Sequence, residues 1–204
     1  MTTRLAPAIK TFAVLALVAG LAAPAAAKTL TAAEAQGRTA VLDDALEFET
    51  TVSTQGVYRS GKGVLKNPWN DNHLKAVIDK RTGAVRYEIH QAIQYHGLFR
   101  DFRRVNFVGA NGALESAELI RRGDNRDACF GPDTLGCFGR EDVAFVVDEA
   151  TLRRIAADSA AGDAWAFKFK ADKGEDLRDS IPRAEIAGLL NAVDAHRRST
   201  VATR

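Results

Sequence analysis

Trp165-Ala166-Phe167-Lys168-Phe169-Lys170 has the clearest strand pattern in the chain. Aromatic residues alternate with small or charged ones, which is the period of a β-strand with one face in a core and the other in water. The next segment changes period, because a helix is predicted to begin at Pro182. Its apolar residues fall on one helical stripe: Ile186, Leu189, Leu190 and Val193. A half-buried strand beside an amphipathic helix indicates a sheet with a helix packed on one face.

Strand and turn patterns dominate the sequence before this segment. One β-hairpin is predicted over 74–95 with its turn at 80–83, and a second over 102–121 with its turn at 109–112. The apolar run 143–147 predicts a further strand. Another strand is predicted from alternation near the N-terminus: Leu46, Phe48, Thr50 and Val52.

Two more helices are expected from their capping residues. Thr31 and Glu34 form a capping box. Asp148 is placed to cap a helix over 149–158, in which Leu152 and Ile155 face inward. Two segments are predicted to be irregular. These are a polar loop over 172–179 and a frayed tail over 199–204.

These patterns place the chain in the α+β class, as a mainly antiparallel, meandering β-sheet with one or two helices of the C-terminal half packed on it. A small closed β-barrel-like domain is the alternative. Residues 28–204 are expected to form a single globular domain, since a segment of this length can bury one core.

The first 27 residues have the pattern of a cleavable signal peptide. Arg4 and Lys10 give a positive start, residues 12–23 are apolar, and small residues precede a cleavage site between Ala27 and Lys28. The apolar run is shorter than the roughly 20 residues that span a bilayer. We therefore expect an exported mature protein, periplasmic or secreted, that is water-soluble and has no membrane span.

Export also changes the charge balance. The precursor has 28 Lys and Arg against 26 Asp and Glu, and the signal peptide carries two of the basic residues and none of the acidic ones. The mature chain is therefore formally neutral, which gives no long-range attraction to nucleic acid. No cofactor is expected either. Residues 56–62 match the start of a phosphate-binding P-loop, but Gly63 stands where that motif requires Ser or Thr.

Cys129 and Cys137 are the only cysteines of the chain. An oxidising compartment favours a disulfide between two cysteines that are close in sequence. Gly131 and Pro132 between them suit a tight loop. Since the spacing differs from the C-x-x-C of redox and zinc sites, we predict a structural disulfide.

Two groups of residues are candidates for catalysis or metal binding. Glu88 and His90 lie on the same face of a predicted strand, and we expect that face to be a solvated sheet surface. An acidic loop carries the oxygen ligands that calcium prefers: Asp172, Glu175, Asp176 and Asp179. Because neither group has an accompanying nucleophile or a known ligand spacing, we assign no catalytic residue and no metal ligand.

The strongest local charge feature is a cluster of six arginines: Arg100, Arg103, Arg104, Arg121, Arg122 and Arg126. Folding of the second hairpin is predicted to place Arg103 opposite Glu118. Arginines near aromatic residues suit an acidic partner, a glycan or a phosphate-bearing surface. We predict that Arg104, Arg121 and Arg122 carry the protein's binding. The alternative is a hairpin whose arginines serve only in surface ion pairs.

The sequence thus favours a non-catalytic binding or envelope-associated module, with an anionic envelope component or another exported protein as its partner. The alternative is a secreted or periplasmic hydrolase that uses Glu88 and His90 or a metal held by the acidic loop. A pocket that gathers histidines and carboxylates would favour the enzyme, whereas a filled sheet without a cleft would not.

Overall fold

The computed structural model describes residues 29–57, 71–97, 99–129, 137–158 and 162–202. Within these ranges, it does not describe the side chains at 96, 125–129, 137, 138, 201 and 202. The predicted signal peptide, with its cleavage site at Ala27 and Lys28, lies outside the described residues. So does most of the segment that resembles a P-loop.

The described strands form two antiparallel sheets. The first has six strands in the order β1 (Ala40–Leu42), β2 (Glu49–Ser53), β3 (Asn72–Asp79), β4 (Val85–His96), β8 (Cys137–Val147) and β7 (Ile120–Cys129). The second has four strands in the order β10 (Leu177–Pro182), β9 (Ala164–Ala171), β5 (Phe102–Val108) and β6 (Leu114–Glu118). The α+β class is confirmed, and the two sheets do not close into a barrel.

The helices that the structure describes over their full length are α1 (Ala32–Gly37), α2 (Glu149–Ala157) and α3 (Arg183–Ala202). Both predicted caps are present, since Thr31 and Glu34 form the capping box and the Asp148 side chain accepts from the Thr151 backbone N–H at 2.8 Å. Helix α3 packs against α1, α2 and β3. It continues to Ala202, so the expected tail is helical over 199–202, where Ser199 and Thr200 hydroxyls donate to the His196 carbonyl.

The core joins the two sheets through aromatic rings. Trp165, Phe167 and Phe169 of β9 are buried, as the alternation predicted. Their rings surround Phe145 of β8 at centroid distances of 5.5–6.4 Å. The apolar stripe predicted for α3 is also buried against this cluster: Ile186, Leu189, Leu190 and Val193.

The structure corrects three boundaries. The second hairpin ends at Glu118, and the chain then crosses to the first sheet as β7, so the predicted strand 113–121 is two elements. Strand β10 begins at Leu177, inside the segment predicted to be a loop. Leu46 and Phe48 are 90% and 88% exposed, because β2 starts only at Glu49 and a turn at Asp44 precedes it.

Candidate functional site

Glu88 lies at the middle of β4, on the face of the first sheet that points away from the aromatic core. Lys75 of β3 and Val146 of β8 are its cross-strand neighbours, and the next pair of β3 and β4 on the same face is His73 with His90. Alternation along β4 turns Glu88 and His90 to one face and Tyr87 and Ile89 to the other. The sequence therefore assigned this face correctly.

The environment of Glu88 was predicted wrongly. Its side chain is only 1% exposed, where a solvated surface was expected. Its carboxylate accepts from Arg86 Nε at 2.9 Å on Oε1, and it contacts His90 Nε2 and Arg122 Nη2, each at 2.8 Å, on Oε2. The cover comes from Arg122, which belongs to β7 and reaches across the intervening strand β8.

A β-bulge aims Arg122 at this carboxylate. Arg121 is paired with Val143 of β8 and Gly123 with Asp142, so Arg122 is an extra residue in the ladder. Bulges redirect side chains in this way, and they are common beside functional sites. Alternation in the sequence cannot reveal an inserted residue of this kind, which is why the prediction missed the contact.

The charges around Glu88 fix its protonation state. Burial acts to raise the pKa of Glu88, but the His90 hydrogen bond and the charges of Arg122 and Arg86 outweigh it, so the pKa is lowered. An ionised Glu88 requires a proton on His90 Nε2, which leaves Nδ1 of that ring as a hydrogen-bond acceptor.

His73 stacks on His90, with ring centroids 5.1 Å apart and an interplanar angle of 16°. Burial, the adjacent His90 and Lys75 lower the pKa of His73 to about 4. Burial also lowers the pKa of His90, although the contact with Glu88 opposes the shift. Both imidazoles are therefore neutral at pH 7.

A pocket of about 300 Å³ opens beside this pair. We call it the histidine pocket, and its lining is mostly polar: Gln55, Asp71, His73, His90, Gln91, Ala92, Gln94, Arg122, Arg140, Asp142 and Val143. Asp142 holds Arg140 through Nε and Nη2, at 2.9 Å each. The pocket thus brings together two histidines, two arginines and two carboxylates from four separate parts of the sequence.

The three predicted binding arginines do not form one patch. Arg122 lines the histidine pocket, whereas Arg121 contacts Asp101, Asp124 at 3.0 Å and Glu141 at 3.6 Å. Arg104 lies on the second sheet. Arg104 is opposite Glu118, where the sequence analysis had predicted Arg103. The register of the hairpin therefore differs from the prediction by one residue. Arg103 is paired with Asp101 and Asp172 instead.

Glu141 is a buried carboxylate that the sequence analysis missed. Its side chain is fully buried and accepts from Tyr95 Oη at 2.6 Å and from the backbone N–H groups of Asp101 and Phe102 at 3.1 and 3.0 Å. The Tyr95 ring lies over Gly139, where a Cβ atom would come within 2.3 Å of it. Extending the alternation of 143–147 back by two residues would have placed Glu141 on the inner face.

The acidic loop is used for ion pairing. Asp176 contacts Lys170, and it contacts Lys168 at 3.0 Å. Hydrogen bonds from these two lysines lower the pKa of Asp176 to about 2. Asp172 lies 3.4 Å from Arg103. Among the residues that the structure describes, no three His, Cys, Asp or Glu side chains are grouped so as to hold a metal ion.

Cys129 and Cys137 occupy opposite positions in the β7–β8 ladder. Residues directly opposite in antiparallel strands have Cα atoms about 4.5–5.5 Å apart. This spacing is within the range that a disulfide bridges. Because their side chains are outside the description, the bond stays a prediction.

A second and larger cavity, of about 470 Å³, lies between the β3–β4 turn and the end of α3. Several of its polar groups already have structural partners. Lys80 contacts Asp43 at 2.6 Å, and Asp79 accepts from the backbone N–H groups of Arg81 and Thr82. The histidine pocket is therefore the better candidate, although it is smaller.

Comparisons with protein-family models, curated proteins and solved structures give no match to this chain. In the described part of the chain, no helix is both long and apolar enough to cross a membrane. Only the geometry of the pocket therefore bears on function.

Proposed function

We propose that this protein is an exported binding module and that its histidine pocket binds an anionic group of an envelope component at Arg122. The observation that carries the proposal is the position of the Arg122 guanidinium. Glu88 holds it through Nη2, yet its side chain is 41% exposed at the pocket. A guanidinium has five N–H donors in a fixed fork, so donors remain for a ligand.

Preorganisation supports this role. The bulge and the buried Glu88 orient Arg122 before any ligand arrives, which reduces the entropy that binding must overcome. Of the three arginines predicted from the sequence, the proposal retains Arg122. Arg121 is already engaged by three carboxylates, and Arg104 lies on the other sheet.

The test is an NMR titration of residues 28–204 with sodium acetate, the simplest carboxylate. We expect saturable shifts of the His73, His90 and Arg122 side-chain resonances, weaker at 300 mM than at 50 mM NaCl because salt screens the attraction. Arg122→Gln should lower the affinity at least fivefold. Arg122→Lys, which keeps a cation beside Glu88, serves if the Gln variant does not fold.

Arg81→Gln is the matched control, because Arg81 is exposed in the β3–β4 turn. It should bind acetate like the parent. Binding that survives both Arg122 substitutions, or shifts that map away from the histidine pocket, would rule the proposal out.

Export is part of the same proposal. The order of charged start, apolar run and small residues before Lys28 supports cleavage and a periplasmic or secreted protein. N-terminal sequencing of the protein from its natural compartment should read from Lys28. An intact Met1 on the functional protein would contradict export by this route.

The pocket gathers histidines and carboxylates, which the sequence analysis set as the observation that favours an enzyme. Together with the contact between Glu88 and His90, it favours a second candidate, a hydrolase in which His90 Nδ1 acts as a general base. The described lining of the pocket contains no Ser, Thr or Cys, so this base would have to activate water. Assays with p-nitrophenyl acetate and p-nitrophenyl glycosides distinguish the two. Turnover that His90→Gln abolishes would favour the hydrolase, and a rate equal to buffer would favour the binding module.

A further inference from the structure

The formal charges on the lining of the histidine pocket cancel. Arg122 and Arg140 are balanced by Asp71 and Asp142, and Asp142 already binds Arg140 at two atoms. A phosphate group with nearly two negative charges would be brought close to both aspartates, and like charges repel at this range. A single carboxylate needs only the remaining donors of Arg122.

The neutral groups of the lining are of mixed hydrogen-bonding character. Gln55 and Gln94 carry amides that both donate and accept, and the neutral His73 imidazole does the same. The Nε2–H of His90 is engaged by Glu88, so His90 offers only Nδ1 as an acceptor. Asp71 and Asp142 only accept. Such a set matches hydroxyl groups, which also donate and accept, better than it matches phosphate oxygens, which mainly accept.

The volume limits the size of the ligand. About 300 Å³ is at the lower end of the range for small-molecule sites, roughly 300–1,000 Å³. A pocket of this volume has room for one or two sugar rings. The polar lining also argues against an acyl chain.

We infer that the ligand of the histidine pocket is a carboxylate-bearing sugar, a hexuronate, whose carboxylate pairs with Arg122 and whose hydroxyls contact Asp71, Asp142 and the glutamines. The inference rests on the proposed function. It names the chemical class of the envelope component as an acidic saccharide and sets aside phosphate monoesters and inorganic phosphate, which carry nearly two charges.

The experiment is an NMR titration of residues 28–204 with three kinds of probe. Methyl α-D-galacturonoside and methyl β-D-glucuronoside carry both the charge and the hydroxyls. Their methyl esters keep the hydroxyls without the charge, and inorganic phosphate has the charge without the sugar. We expect at least one uronoside to bind at least tenfold more tightly than its ester and than phosphate.

The outcomes separate the inference from the function on which it rests. If phosphate binds as tightly as the uronosides and Arg122→Gln abolishes its binding, the inference of a saccharide ligand is wrong. The proposed anion site at Arg122 would still be supported. Esters that bind as tightly as the acids would also overturn the inference. If neither acetate, uronoside nor phosphate shifts the pocket resonances, both the inference and the proposed function are wrong.

Asp142→Asn tests the charge argument itself. The substitution releases Arg140 and removes a repelling carboxylate, so phosphate affinity should rise at least fivefold. The ratio of uronoside affinity to phosphate affinity should therefore fall. Asp172→Asn, at an exposed loop outside the pocket, is the matched control. An unchanged preference in Asp142→Asn would show that the charge balance does not select the ligand.

Discussion

Glu88 receives three contacts from two strands of the first sheet. Arg86 and His90 belong to β4 itself, and Arg122 comes from β7. A buried carboxylate is tolerated only when such partners replace its water. The residue therefore ties an edge strand to the centre of the sheet and orients the pocket at the same time.

Replacing Glu88 tests this role. Glu88→Gln should lower the free energy of unfolding by about 2–3 kcal/mol, because a buried amide cannot replace the charge that its two guanidinium partners require. Urea denaturation measures the change. Glu118→Gln removes an exposed glutamate opposite Arg104 and should change stability by less than about 0.5 kcal/mol. Equal effects of the two substitutions would contradict the account.

His73 predicts a specific pH dependence of stability. Its pKa is lowered to about 4 in the folded protein, against about 6.5 in an unfolded chain. Between these values the unfolded state binds more protons, so stability falls as the pH is lowered from 6.5 towards 4. Between pH 7.5 and 5 the parent should lose more free energy of unfolding than His73→Gln does, by about 1–2 kcal/mol, as measured by urea denaturation. Parallel pH profiles for variant and parent would be inconsistent with a half-buried, neutral His73.

At the scale of elements, the crossing from β4 to β5 carries the chain from one sheet to the other. Tyr95 lies one residue before the end of β4 and Phe102 opens β5, and both bind Glu141 of β8. Asp101, between them, has a φ of 54°, a left-handed conformation that is rare outside glycine. The backbone hydrogen bond from Asp101 to Glu141 helps to hold that conformation.

Tyr95→Phe should therefore destabilise the protein by about 1–3 kcal/mol. It leaves the Arg100 backbone N–H without its acceptor and Glu141 without one donor. A double-mutant cycle with Glu141→Gln isolates the contact and should give a coupling free energy of at least about 0.5 kcal/mol. Strict additivity of the two substitutions would show that the hydroxyl does not act through Glu141.

The β7–β8 ladder makes the disulfide prediction testable. With Cys129 opposite Cys137, oxidation should form the bond and add about 2.5 kcal/mol of stability. Intact mass with and without reductant, followed by alkylation, detects it. The Cys129→Ser, Cys137→Ser double variant should be insensitive to reductant. Two free thiols in the protein from its natural compartment would disprove the bond.

At the scale of the whole molecule, the sequence predicted those features that depend on local period. The alternation around Phe167 and the stripe through Leu189 both identified buried faces, since period and burial are linked directly. The path after Glu118 was not predictable in this way, because the same alternation fits a strand of either sheet. The pocket depends on the bulge at Arg122, which only pairing with β8 reveals.

The most direct test of the account is a crystal structure of residues 28–204 soaked with methyl α-D-galacturonoside and, in parallel, methyl β-D-glucuronoside. We predict a uronoside in the histidine pocket, with its carboxylate within about 3.2 Å of the Arg122 guanidinium. The Arg122 contact with Glu88 should persist. A histidine pocket that stays empty at saturating concentrations of both uronosides, or a ligand bound away from Arg122, would contradict the account.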